Sequence, residues 1–139
     1  MPARISEHDI ESKVVAYARS KGVLVVKQTH QGARSHPDRA FYFAGGRLLQ
    51  IEFKAPSKLP TTLQAVTIKK LIALEFTVLL VDDIADGIAV IDHHLACGSN
   101  DVWQDMAIIS RINKTLRLCD KILNRKSMPM IDTEHIYGT

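Results

Sequence analysis

Two adjacent glycines, Gly45 and Gly46, separate the apolar runs Ala40 to Ala44 and Leu48 to Phe53. Glycine supplies the positive φ angles of a tight reversal, so these residues form an antiparallel β-hairpin. Side chains on a strand alternate with period two. Gln50, Glu52 and Lys54 therefore share one face of the second strand, and Phe53 points to the other. The first strand opens at Pro37-Asp38, so the hairpin returns Asp38 to the level of Glu52.

The register decides whether the two carboxylates meet. In a strict two-residue loop Ala44 pairs with Arg47, and Asp38 falls opposite Phe53 on the wrong face. A three-residue loop with a glycine bulge pairs Phe43 with Arg47 and sets Asp38 opposite Glu52. Alternatively Asp38 lies just before regular pairing, where Pro37 bends the chain. One of the last two is expected. Two ionised carboxylates about 4 Å apart repel by roughly 4 kcal/mol at an effective dielectric of about 20, so the pair needs a shared proton or a cation. Oxygen ligands without cysteine select a hard ion, Mg2+ or Mn2+.

Around the hairpin the pattern is α/β. Ser6 is a helix N-cap followed by Glu7 and Asp9, and Ile10, Val14, Val15 and Ala18 keep helical spacing up to Gly22. Val23 to Val26 reads as a short strand, and Gln28 to Pro37 as a long polar loop. Thr61 caps a helix to about Leu74, which returns the chain to a parallel strand, Thr77 to Val81. Ile84 to Leu95 favours helix, although Gly87 and Val90 leave a strand open. Val102 to Leu123 fits an amphipathic helix with a basic outer face. The 139 residues, 46% hydrophobic and 24% charged, suit one globular unit. No uncharged run reaches the roughly 18 residues of a membrane span, and a soluble, cytoplasmic protein is expected. Cys97 and Cys119 are too far apart in sequence to suggest a zinc site and are expected as half-buried thiols.

Charge is segregated. From Lys27 to Lys58 there are six bases, including Arg34 and Arg39, against the acids Asp38 and Glu52. From Glu75 to Asp105 there are seven acids and neither lysine nor arginine; basic residues return from Arg111 to Lys126. Clustered bases suit a polyanion such as DNA, through counterion release. A merely solvated surface is the bland alternative. Lys27, Arg34, Arg39 and Lys58 are candidate DNA contacts, as are His30 and His36 in the polar loop.

Two further residues carry a structural and a functional reading. Glu11 lies on the helix face that should meet the sheet, where a carboxylate is costly unless paired or bound to metal. It either joins the acid cluster, or lies at the edge of the apolar stripe and reaches outward or pairs with a lysine. Thr61-Thr62-Leu63-Gln64 is a capping box, which would explain Gln64 without catalysis. Trp103, Phe41, Tyr42 and Phe43 are expected in the core rather than stacked on bases.

Glu11, Pro37-Asp38, Glu52-Phe53-Lys54 and Gln64, in this order on helix, strand, strand and helix, resemble the PD-(D/E)XK nuclease superfamily. The short spacing and the Gly45-Gly46 hairpin are most similar to its VRR-NUC branch, including small stand-alone phage members. The resemblance spans about Ile5 to Val81. It implies a restriction-endonuclease-like αβββαβ core with a mixed sheet, Mg2+- or Mn2+-dependent cleavage of DNA, and a bacterial or phage-infected host cytoplasm. Carried over by position, it makes Asp38 and Glu52 metal ligands, with the Phe53 carbonyl as a third. Lys54 would act on the attacking water, Glu11 would hold a water or second ion, and Gln64 would support Lys54 or the substrate. Ser35-His36 and Glu75-Phe76 depart from the family pattern, at the residues before Pro-Asp and at a turn that usually contains glycine.

The expected organisation is a nuclease core over residues 1–95 with a helical extension over 96–139 that is not a separate domain. The expected function is a structure-specific endonuclease of Holliday-junction-resolvase type, acting as a homodimer on branched or duplex DNA, with no membrane partner. The alternative is a non-catalytic DNA-binding or assembly module that retains the fold.

Overall fold

The computed structural model describes residues 4–28, 35–97 and 105–125. His30, Arg34, Trp103 and the segment from Lys126 onward lie outside them. The elements run α1 (Glu7–Ser20), β1 (Leu24–Lys27), β2 (Arg39–Phe43), β3 (Arg47–Phe53), α2 (Thr62–Ala73), β4 (Thr77–Val81), α3 (Ile84–Ala96) and α4 (Met106–Arg125). The first six follow the expected order. The strands form one mixed sheet in the order β1-β2-β3-β4, antiparallel except for the β3–β4 pair, which α2 connects in parallel.

Local chemistry sets the helix ends. Ser6 Oγ accepts the Asp9 N–H at 3.0 Å and the Asp9 carboxylate accepts the Ser6 N–H at 3.3 Å, a reciprocal cap that starts α1. At its far end Gly22 takes φ 82°, while the N–H groups of Gly22 and Val23 bond to the carbonyls of Arg19 and Ala18. The same double bond closes α2, from Glu75 N–H to Ile72 and from Phe76 N–H to Leu71. There the left-handed position, φ 71°, belongs to Glu75. The turn that glycine usually makes is thus made by glutamate.

One core includes Phe41, Leu49, Ile51 and Phe53 from the sheet, Ile10 and Val14 from α1, Ile68 and Ile72 from α2, and Ile91 from α3. The segment Ile84–Ala96 is helix, with Gly87 pressed on α1: a Cβ there would lie 2.5 Å from Val14 Cγ2. Glycine at this point lets the two helices approach. Tyr42 departs from expectation: alternation along β2 buries Phe41 and Phe43 but leaves Tyr42 46% exposed, beside the exposed Leu24 of β1. Cys119 departs too, being fully buried, while Cys97 is partly so.

Helix α4 is built into this core. Ile108, Ile112, Cys119 and Leu123 join it, and the Thr115 hydroxyl accepts the Leu80 N–H at 3.1 Å on the outer edge of β4. An open strand edge is a template for unwanted pairing, and α4 covers this one. Lys69, 3% exposed, pairs with Asp120 and ties α2 to α4. Only the outer face of α4, with Lys114, Arg117 and Lys121, is open to solvent.

The acidic middle of the chain is largely occupied with these joints. Asp83 caps α3, Asp86 pairs with Arg111, Asp92 accepts the Tyr17 hydroxyl, and Asp105 caps α4 and faces His93. No helix among the described residues is long and apolar enough to cross a membrane.

Candidate active site

The hairpin adopts the bulged register. Phe43 pairs with Arg47 across the three-residue loop 44–46, where Gly45 and Gly46 have φ 81° and 73°. The last ladder pair is Arg39 with Ile51, so Asp38 stands one step beyond it, level with Glu52. Both expected arrangements hold together: the loop has three residues, and Asp38 lies just outside regular pairing.

Asp38 is held from several sides. Its Oδ2 accepts the Phe53 N–H at 3.0 Å, and its carbonyl accepts the Gln28 N–H at 2.9 Å. The Gln28 amide donates to the Pro37 carbonyl at 3.0 Å and to Gln50 Oε1 at 3.2 Å. Thr67 of α2 donates to Ser35 Oγ at 2.7 Å, fastening the approach to Pro37. These contacts place one carboxylate at the carboxyl end of β3.

Glu52 is the second, with 2% of its surface exposed. Its Oε2 accepts from Gln64 Nε2 at 2.9 Å and lies 3.7 Å from Lys54 Nζ. Its Oε1 is buried and has no hydrogen-bond partner. Burial, and then the neighbouring Asp38, push the Glu52 carboxyl up to about 8. Burial likewise raises Asp38, against the lowering effect of the Phe53 N–H. Two carboxyls crowded into a poorly solvated space cannot both ionise cheaply. An oxygen-seeking cation or a shared proton relieves them, and the orphaned Oε1 is the atom left for it.

Gln64 serves two structures at once. Its Oε1 accepts the Thr61 N–H at 2.9 Å, completing the cap of α2, while its Nε2 reaches Glu52. The capping reading and the site reading are therefore compatible.

Glu11 is paired, but with an arginine rather than the expected lysine. Arg39 donates to Glu11 Oε1 from Nε at 3.0 Å and from Nη2 at 2.8 Å, with both side chains largely buried. Its charge still reaches Asp38 and raises that carboxyl. Arg39 is thereby engaged inside the protein, and so is Arg47, whose guanidinium bonds to the carbonyls of Ala44 and His94. Lys27, His36 and Lys58 are exposed. Among the described residues no three or more His, Cys, Asp and Glu side chains gather as a metal-binding group. The donor set is two carboxylates and nearby carbonyls, which suits a hard ion that keeps water ligands.

Sequence reasoning missed Glu7. Partial burial and Asp38 raise its carboxyl while Lys54 lowers it, so it faces the same space. In sequence it reads as an ordinary first-turn acid, yet it lies one helical turn before Glu11, and that i, i+4 spacing was the available signal.

No family model matches the chain. Over 78 residues, 56% of this chain and 84% of the relative, it is 33% identical to a protein of Acyrthosiphon pisum secondary endosymbiont phage 1 named "Putative nuclease p44". With a third of the aligned positions identical and most of that protein's length covered, the chain belongs to the same family as this phage protein.

Proposed function

We propose that this protein is a nuclease that hydrolyses DNA phosphodiester bonds with Mg2+ or Mn2+ at the carboxyl end of β3, as a VRR-NUC-type member of the PD-(D/E)XK superfamily. The observation that carries this reading is the buried, unpartnered Oε1 of Glu52 beside Asp38. Membership in the family of a phage protein named as a nuclease agrees with it.

Asp38, Glu52 and the Phe53 carbonyl are the groups that would hold the ion, which when bound supplies positive charge to the phosphate and lowers the pKa of water. Lys54, on the same strand face as Glu52, presents its ammonium to the charge that develops on the phosphoryl oxygens and orients the attacking water. Gln64 holds Glu52 in place through its amide, and Glu7 and Glu11 add negative potential that strengthens the site's preference for a cation. Lys27, His36 and Lys58 follow the DNA backbone, and cutting of branched DNA by a homodimer is the structure-specific form of this activity.

The test is a cleavage assay on labelled four-way junction, flap and duplex DNA with Mg2+, Mn2+ or EDTA. Metal-dependent cutting by the parent, lost in Asp38→Ala and Glu52→Ala, is expected. Equal cutting by Glu52→Ala removes the reading. A second reading, a DNA-binding or assembly module, draws on the lack of a three-residue metal group among the described residues. Salt-dependent binding without metal-dependent turnover would select it.

A further inference from the structure

A cleft of about 410 Å3 opens between the segment before α1 and the loop after β3, lined by Arg4, Ile5, Ala55, Pro56, Ser57 and Lys58. Its volume is within the range of small-ligand pockets. Each wall leads directly into the candidate site. Arg4 and Ile5 are followed by Glu7, whose carboxyl feels Asp38 and Lys54, and Ala55 follows Lys54 itself.

The second wall is a defined turn. Lys58 N–H bonds to the Ala55 carbonyl at 3.0 Å, Pro56 occupies the second position, and Ser57 takes φ 68° at the third. This is the type II pattern, in which glycine normally fills the third position. Serine bears the left-handed conformation here, with its N–H 3.5 Å from the Asp82 carboxylate. The turn sets Lys58 in the same lining as Arg4.

We propose that this cleft seats the nucleotide next to the scissile phosphodiester, with Arg4 and Lys58 on its phosphate and Ile5, Ala55 and Pro56 against its sugar and base. The inference rests on the nuclease reading for the words next to the scissile bond, but the binding it asserts does not need catalysis. Two exposed bases, one from each lining segment, suit a diester anion, and the apolar side chains of Ile5, Ala55 and Pro56 in the same lining suit the uncharged part of the same unit. The cleft contains no carboxylate among its lining residues, unlike the acid-rich space beside it.

The experiment measures binding of a fluorescein-labelled DNA duplex to the full chain in EDTA, across a salt series, for the parent, Arg4→Ala/Lys58→Ala and Ile5→Trp. The double variant should bind about tenfold more weakly and flatten the slope of log K against log salt by about 1, the share of the single phosphate that the two bases neutralise together. Ile5→Trp, which fills the cleft without changing charge, should weaken binding and leave the slope unchanged. With Mg2+ the double variant should raise KM and keep kcat. Parent-like affinity and slope in the double variant overturn the proposal, as does a parent that binds no duplex. If the parent binds and the variants weaken it, but no protein cuts with either metal, the cleft stands as a nucleotide site and the nuclease reading fails.

Discussion

Gln64 divides one amide between two partners: its oxygen takes the Thr61 N–H and its nitrogen donates to Glu52, both at 2.9 Å. Gln64→Glu keeps the acceptor that caps α2, because glutamate suits that position. It replaces the donor with a carboxylate facing a carboxyl already pushed up to about 8. Above about pH 8, where Glu52 is ionised and cannot donate to the new carboxylate, we expect a loss of about 1–3 kcal/mol of stability in EDTA, from the unmade buried hydrogen bond, together with a lower single-turnover cleavage rate. Denaturant midpoints and rapid-quench kinetics check the two effects separately.

Glu52→Gln should keep the fold and abolish both metal binding by calorimetry and cleavage. The metal-free parent should also lose stability as pH rises. Between about 4.5 and about 8 the folded state holds a proton on Glu52 that the unfolded chain has released, so each step upward in pH favours unfolding. Glu52→Gln should lack that decline. Unfolding free energies in EDTA at several pH values measure it; a parent whose stability climbs through this window contradicts the crowded-carboxyl picture.

Thr115→Val preserves shape but removes the hydroxyl that accepts the Leu80 N–H. The loss leaves a strand-edge donor without its partner, at about 1–3 kcal/mol. Hydrogen exchange at the Leu80 amide should accelerate, and catalysis should be little affected.

Gly87→Ala should be destabilising, by about 1–3 kcal/mol from overpacking, since its new methyl meets the Val14 side chain of α1. Pairing it with Val14→Ala should recover part of the loss, which a double-mutant cycle reads directly.

Much of the fold is legible along the chain because its signals are local. Ser6 with Asp9 and Thr61 with Gln64 cap helices whatever lies beyond them, and Gly45-Gly46 reverses a strand by backbone sterics alone. The convergence of Asp38 and Glu52 follows from that reversal plus strand periodicity, and so could be expected. Partner choice is different, because it depends on distances between segments remote in sequence. Only the packing of α1 against the sheet decided that Glu11 would meet Arg39, taking that arginine from the expected DNA face. Only packing brought Glu7 to bear on Asp38, set α4 along the edge of β4, and left one oxygen of Glu52 buried without a donor. Local sterics specify where a chain turns; which buried charges are satisfied is determined by the whole set of neighbours that the tertiary fold assembles.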